Sequence, residues 1–305
     1  MDRFENLQTF IKVVDFGTIS AAAERMGIAK SAVSRRISEL ERHLGVQLFR
    51  RTTRQLNLTD SGKSFYDRAI RIITDLEEAE LAVSQQHGEL AGVIKIAAPL
   101  SFGLLHLAPA FTDFMKLHPK VQLDLDFNDR HIDILQEGFD LAIRVTRLSD
   151  SSFIARRLAT IHHMVCASPE YLKLYGTPQT PDALQHHRCL SYSNIQDSNL
   201  WHYQDQNDIH GQVKVPVVLS ANNGDFLRQA ATTGLGIILE PTFIIYDAID
   251  KGQLVPLLTD CQWPIIDAYA IYPHTRHLSQ RVRALVDFLV QRFEGTPYWD
   301  SALKL

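Results

Sequence analysis

The chain has 305 residues, 45% of them hydrophobic and 22% charged, with a net charge of −4. That length exceeds one ordinary core and implies two or more domains, and the composition excludes disordered, collagenous and coiled-coil-only chains. No apolar run approaches the roughly 20 residues of a membrane span, and the charged, amphipathic start MDRFENLQTF does not read as a secretion signal. Cys166, Cys189 and Cys261 lie far apart without CxxC spacing. Reduced, packed thiols in a cytoplasmic protein are expected, not a disulfide or zinc framework.

The acidic sum hides an asymmetry. Residues 1–60 hold ten basic and seven acidic side chains, a sum of +3, which leaves −7 for the rest. Eight of the basic residues (Arg25, Lys30, Arg35, Arg36, Arg42, Arg50, Arg51, Arg54) crowd into 25–54 against only Glu39 and Glu41. A short basic segment on an acidic body is the pattern of a nucleic-acid-reading module joined to something else; a solvated charged surface is the plainer alternative.

In chain order, Phe4, Leu7, Phe10, Ile11 and Val14 recur at helical spacing. Gly17 stops that helix, Thr18 caps a second, and Ala21, Ala22 and Ala23 allow close helix approach before Gly27 stops it. A turn of about three residues leads into a third helix with Val33, Ile37, Leu40 and Leu44 inward and Gly45 at its end. Helix, tight glycine-bearing turn and helix make a helix-turn-helix pattern. The outer face of the third helix carries Lys30, Ser31, Ser34, Arg35 and Arg36, residue types suited to base edges and phosphates in a major groove. On this reading Arg35→Ala or Arg36→Ala relaxes site preference, whereas Arg51→Ala or Arg54→Ala weakens binding to all DNA. Leu48, Leu56 and Leu58 anchor a hairpin bearing Arg50, Arg51 and Arg54, a basic wing for phosphate or minor-groove contact, or else a plain surface ribbon.

The runs Ala22–Gly27, Ser31–Ile37, Leu40-Glu41, Leu44-Gly45, Leu48–Thr52 and Leu58–Gly62 resemble the N-terminal signature of the LysR-type transcriptional regulators. The resemblance implies a winged helix-turn-helix with Ser31, Ser34, Arg35 and Arg36 at the groove. Ala29 departs from the Ser or Thr that the family often has before the reader helix, and losing such a cap costs about 1 kcal/mol.

From Ser61 to about Gly88 there is no proline, and Phe65, Ala69, Ile72, Leu76, Ala79 and Val83 recur at spacings of four and three. A heptad seam predicts pairing of two such helices into a dimer that reads double-stranded DNA with inverted half-sites; a helix packed on its own domain explains the stripe equally well.

After Gly92 the pattern turns to short β-rich runs alternating with helices. Strands are expected at 93–97, 121–125, 140–145, 164–167, 215–219, 236–239 and 268–272. Helices are expected at 102–117, near 131–137, and near 169–175, 223–233, 242–251 and 278–293. This alternation predicts an α/β domain with largely parallel sheets. The stretch 177–212, with Pro178 and Pro181 among polar residues, reads as loop-rich and as a mobile cover. Ligands in such domains sit beyond strand C-termini, near helix N-termini. Pro99–Gly103 with Ser101, and Ala221–Asp225 with Asn222 and Asn223, occupy such places, although both also suit ordinary helix caps.

Residues 92–293 are similar to the effector-binding domain of LysR-type regulators, on the runs Ala98–Gly103, Glu137–Arg144 and Ala221–Asp225. The implied fold is an N-terminal all-α winged helix-turn-helix (1–60), a long linker and dimerisation helix (61–90), and a two-lobed α/β effector-binding domain (91–305) resembling periplasmic binding proteins. Crossover strands are placed near 161–165 and 264–269. Lobe I then covers about 91–162 and 266–305, and lobe II about 163–265. A small-molecule effector is expected in the cleft, touching Leu100, Ser101, Phe102, Asn222 and Asn223. Asn128, Arg144, His163, Ser193, Trp201 and Ile237 are further candidates placed by strand ends.

The histidine pairs His162-His163 and His186-His187, with His274 and His277, form no zinc motif, and adjacent residues on a strand face opposite ways. No metal or cofactor is expected. The Gly234-Leu-Gly236 pair lacks a third glycine, and no GxSxG elbow or Walker loop is present, so no enzyme is expected. The sequence therefore points to an effector-controlled, sequence-specific DNA-binding transcription regulator that self-associates as a dimer and, beyond it, a tetramer, with no membrane partner. The competing readings are a non-specific architectural DNA-binding protein and a ligand-binding or enzymatic α/β domain with a vestigial reader. Site selectivity and ligand binding without DNA binding separate these.

Overall fold

Asp2 begins the first helix by accepting the Phe4 and Glu5 N–H groups on its carboxylate. That helix, α1 (Arg3–Asp15), ends where Gly17 takes a φ of +69°. Thr18 caps α2 (Ile19–Met26) through the Ala21 N–H, and Gly27 closes it in the left-handed conformation. The third helix, α3 (Lys30–Leu44), starts at Lys30 without a side-chain cap; the Ala29 carbonyl alone receives the Ala32 and Val33 N–H groups. Strands β1 (Phe49–Arg51) and β2 (Leu56–Leu58) pair antiparallel as the wing, and α4 (Asp60–Val83) follows. The computed structural model describes residues 2–51, 56–83, 89–130, 134–147, 153–273 and 278–303. The chain divides into two compact units, Met1–Glu89 and Leu90–Leu305.

The first unit closes around Phe10, which is fully buried against Phe49, Phe65 and Tyr66 and within the cluster of Leu7, Val13, Val33, Ile37 and Leu40. One polar knot locks the wing to the helices. The Glu41 carboxylate accepts the Leu48 and Phe49 N–H groups at 2.8 and 3.2 Å. Thr59 returns its N–H to the Leu48 carbonyl at 2.9 Å, and its hydroxyl caps α4 through the Gly62 N–H. Gly62 is needed there because a Cβ would stand 2.1 Å from the Leu48 oxygen.

In the second unit β3 (Ala91–Ala98) leads into α5 (Leu100–Phe102), a π-turn over Gly103–Leu107 and α6 (Ala108–Leu117). The expected single helix over 102–117 is therefore interrupted, a widening of the backbone common at functional sites. Then come β4 (Lys120–Phe127), α7 (Ile134–Glu137), β5 (Leu141–Thr146), β6 (Phe153–Ala167), α8 (Pro169–Tyr175) and a 3-10 turn at Pro181–His186. Strands β7 (Cys189–Tyr192), β8 (Leu200–Gln204), β9 (His210–Lys214) and β10 (Val217–Ala221) precede α9 (Gly224–Thr232), β11 (Ile237–Pro241) and α10 (Thr242–Asp250). The chain ends through β12 (Val255–Leu257), β13 (Ile265–Pro273), α11 (Gln280–Arg292) and α12 (Tyr298–Leu303).

The strands run in the order β10, β7, β11, β6, β13, β5, β3, β4, with β12 beside β6. The sheet is mixed and not largely parallel: β13 is antiparallel to β5 and β6, and β6 to β11 and β12. The cause is β6, fifteen residues long, of which the expectation of a strand covers only 161–167. It pairs with β13 through His162 and with β11 from His163, so the crossover between lobes falls between these two histidines. The polar run Arg156, Arg157, Thr160 and His162 masks its alternation. The stretch 177–212 is also more ordered than expected. It holds β7 and the antiparallel β8–β9 pair, with Trp201 buried edge-on to Trp263. Among the described residues, no helix is long and apolar enough to cross a membrane.

Candidate functional site

Lys30, Ser31 and Arg35 stand exposed on α3, with Ser34 half-buried beside them. Arg35 is 74% exposed, with Glu39 one turn on at 3.9 Å. Arg36 is placed otherwise: its side chain is 21% exposed and its guanidinium donates to Glu5 at 2.6 Å and to the Thr9 hydroxyl at 3.4 Å. It staples α3 to α1, which corrects its expected place in the groove. Three residues after Val33 and one before Ile37, it sits on the flank of the buried stripe, where a long side chain reaches the neighbouring helix. On the wing Arg50 is exposed and 4.0 Å from Asp60. Arg51 lies in β1 with its side chain, and Arg54 altogether, outside the described residues.

The heptad residues divide. Phe65 stacks at 5.5 Å on Phe10, and Ala69 is fully buried in the same core. Both therefore serve their own unit, a correction to the seam: with Tyr66 and Ile73 they form the stripe that α4 turns to α1. Ile72, 48% exposed, and the half-buried Leu76 lie off that stripe. Ala79 and Val83 are in α4, with side chains outside the described residues.

In the second unit, a cavity of about 420 Å³ opens where β6 changes lobes. Ser101, Phe102, Arg144, His163 and Trp201 line it, as expected from strand ends and helix starts. The other candidates do not, each for a local reason. The Leu100 N–H donates to Asp129, and Asn128 bonds Asp126 at 2.8 Å. Asn223 caps α9 through the Phe226 N–H at 2.9 Å, and the neighbouring Asn222 stays exposed outside the lining. The Ser193 N–H bonds the Ala221 carbonyl, and Ile237 is buried in the core of lobe II.

Asp129, Tyr192 and Glu240 join the lining and were missed by sequence reasoning. The available signal was position: Glu240 is a lone acid at the C-terminal end of an apolar strand, where such folds place ligands. Burial raises the Asp129 pKa against the pull of the Leu100 N–H and the Arg144 charge. Burial lowers that of Arg144, which donates to the Arg130 carbonyl at 2.9 Å. His163 donates from Nδ1 to the Pro264 carbonyl at 2.8 Å, and burial pulls its pKa to about 4, so it is neutral at physiological pH. Glu240 is 2% exposed, its Oε1 has no hydrogen-bond partner, and burial reinforced by Asp225 pushes its pKa to about 8.

Comparison with known proteins gives the same division of the chain. Residues 4–63 match the bacterial regulatory helix-turn-helix protein family of lysR type, and residues 87–294 match the LysR substrate binding domain. An HTH-type transcriptional regulator of Haemophilus influenzae is 36% identical, over 93% of this chain and 99% of its own length. The HTH-type transcriptional regulator CrgA of Neisseria meningitidis is 35% identical, over 94% of this chain and 96% of its own. The solved structure of CrgA, a LysR-type regulator, superposes with a TM-score of 0.63 at 34% identity, covering 95% of this chain and 99% of that one. With an exposed basic reader helix in one unit and a cavity at the crossover strands of the other, the chain belongs to the LysR family of bacterial helix-turn-helix transcription regulators.

Proposed function

We propose that this chain binds specific double-stranded DNA through α3 and the wing and controls transcription according to the occupancy of the cavity in its second unit. The observation that carries this reading is the presence, in one chain, of exposed Lys30, Ser31 and Arg35 on α3 and of a cavity lined by both lobes. Arginine reads guanine edges in bidentate fashion, while serine and lysine reach bases or phosphates. The effector site is Ser101, Phe102, Asp129, Arg144, His163 and Glu240. The chain acts in the cytoplasm without a catalytic step, as a homodimer that pairs further into a tetramer. Occupancy of the cavity shifts the lobes and through them the spacing of the readers.

Selection of binding sites from a random DNA library with the full chain tests this. Enriched sites carrying inverted half-sites with centres a whole number of helical turns apart, roughly 10 bp each, support a dimeric specific reader. Recovery of unenriched DNA with a steep salt dependence supports a non-specific architectural protein instead.

A further inference from the structure

We propose that the effector carries a protonated amine, seated against the Glu240 carboxylate, on an apolar or aromatic body. This rests on the cavity's being the effector site. Glu240 is 2% exposed, lines the cavity, and leaves Oε1 without a partner. Buried polar atoms without partners are rare and costly, and one that belongs to a cavity-lining side chain is a place where a ligand group can complete it. The position is built: Oε2 stands 2.7 Å from where a Gly224 Cβ would lie, so glycine at the start of α9 makes room for the carboxyl.

The charges around it decide the sign of the missing group. Asp225 on α9 bears on Glu240 and repels its charge. Asp225 itself pairs with Arg228 at 3.5 Å. Asp129, Arg144 and His202 also line the cavity, and the Arg144 guanidinium is engaged by the Arg130 carbonyl and the Asp129 charge. The neighbouring His163 is neutral, and Cys166 and Tyr192 are held protonated by burial. Among the described lining residues, two carboxyl groups thus face one committed cation. A carboxylate effector brings a negative charge toward Asp129 and Asp225 and leaves Oε1 without a donor, whereas an ammonium supplies the charge and the donors that Oε1 lacks. Phe102, Leu190, Leu239, Phe243, Ile244 and Ile266 offer the body of the molecule an apolar wall.

Pairing has a proton balance. Free Glu240 holds its proton at neutral pH, and an incoming ammonium stabilises the carboxylate, so the carboxyl proton leaves to solvent as the ion pair forms.

The test is calorimetric titration of the full chain with 2-phenylethylamine, 3-phenylpropionate and 2-phenylethanol, in phosphate and in HEPES, at two pH values. The amine is expected to bind at least about tenfold more tightly than the acid or the alcohol. It should release close to one proton at neutral pH and gain about tenfold in affinity per pH unit up to the Glu240 pKa. Glu240→Gln should weaken the amine about tenfold or more and abolish proton release. Equal or tighter binding of the acid, absence of proton release, unchanged affinity in E240Q, or no saturable amine binding up to roughly 10 mM, about 3 kcal/mol of binding, overturns the proposal. If E240Q fails to fold, the proton count on the unaltered chain decides. Selective DNA binding by the same samples separates the two levels. Selectivity without amine preference sinks only this inference, while loss of selectivity in the unaltered chain sinks the regulator reading.

Discussion

Replacing Gly62 by alanine tests how the wing is held. The added Cβ lies 2.1 Å from the Leu48 carbonyl oxygen, and Leu48 C and Leu58 Cδ2 stand at 3.0 Å. The oxygen is about 1 Å closer than Cβ contacts allow. It is backbone, so relief means moving Leu48 or the start of α4. Either movement breaks the bond from the Thr59 N–H to Leu48 or that from the Gly62 N–H to the Thr59 hydroxyl, both 2.9 Å. Two such bonds contribute about 1 kcal/mol each, and an orphaned buried carbonyl costs about 1–3 kcal/mol more. Alanine returns up to about 1 kcal/mol as the better helix former. The balance is a loss of about 1–3 kcal/mol, or roughly 5- to 150-fold faster exchange of amides that open with the wing. Hydrogen exchange read by mass spectrometry on peptides spanning 46–51 and 58–66 measures this, with the exposed Ser61→Ala as control. Protection equal to or above that of the unaltered chain shows that helix propensity outweighs the clash and refutes the reasoning.

Glu41→Gln weakens the charge-assisted hold on the Leu48 and Phe49 N–H groups, and urea titration should show about 1 kcal/mol of lost stability in the first unit. Arg36→Met should cost about 1 kcal/mol of folding stability while leaving site preference intact, and a double-mutant cycle with Glu5→Gln should show coupling; a relaxed site preference returns Arg36 to the groove. Stability against pH should peak near pH 6.5. His106, buried between the Tyr298 hydroxyl and the Phe243 carbonyl, has a folded pKa of about 4 against 6.5 unfolded. His163 shares these values, and for each histidine the unfolded chain takes the extra proton, so on the order of 3 kcal/mol per histidine is lost as pH falls from 6.5 to 4. Glu240 has a folded pKa of about 8 against 4.5, so stability is instead lost as pH rises through that window. Thermal melts of E240Q should lack the decline above pH 6.5.

The reader was legible because local rules agree there. Thr18, Gly27 and Gly45 punctuate α2 and α3 where capping chemistry places them, and Val33, Ile37 and Leu40 face the core at helical spacing. Arg36 was misplaced because sequence spacing gives a face and not a partner; Glu5 is thirty-one residues away. The seam on α4 failed in the same way at Phe65 and Ala69, since an apolar stripe names no neighbour. In the second unit, Ser101, Phe102, Arg144, His163 and Trp201 fell on the cavity because strand ends converge there. Asn223 did not, because its carbonyl is used as a helix cap. Glu240 was hidden by an apolar run that reads as core, and α12, with its buried Trp299, by the absence of any period in so short a segment.

Selective DNA binding is read by affinity in fluorescence anisotropy. The full chain is titrated into a duplex carrying its selected site and into scrambled DNA of equal length, at one salt concentration. The selected site should be preferred about a thousandfold or more, or roughly 4 kcal/mol, a preference that Arg35→Ala reduces. Equal affinity for the two duplexes contradicts it.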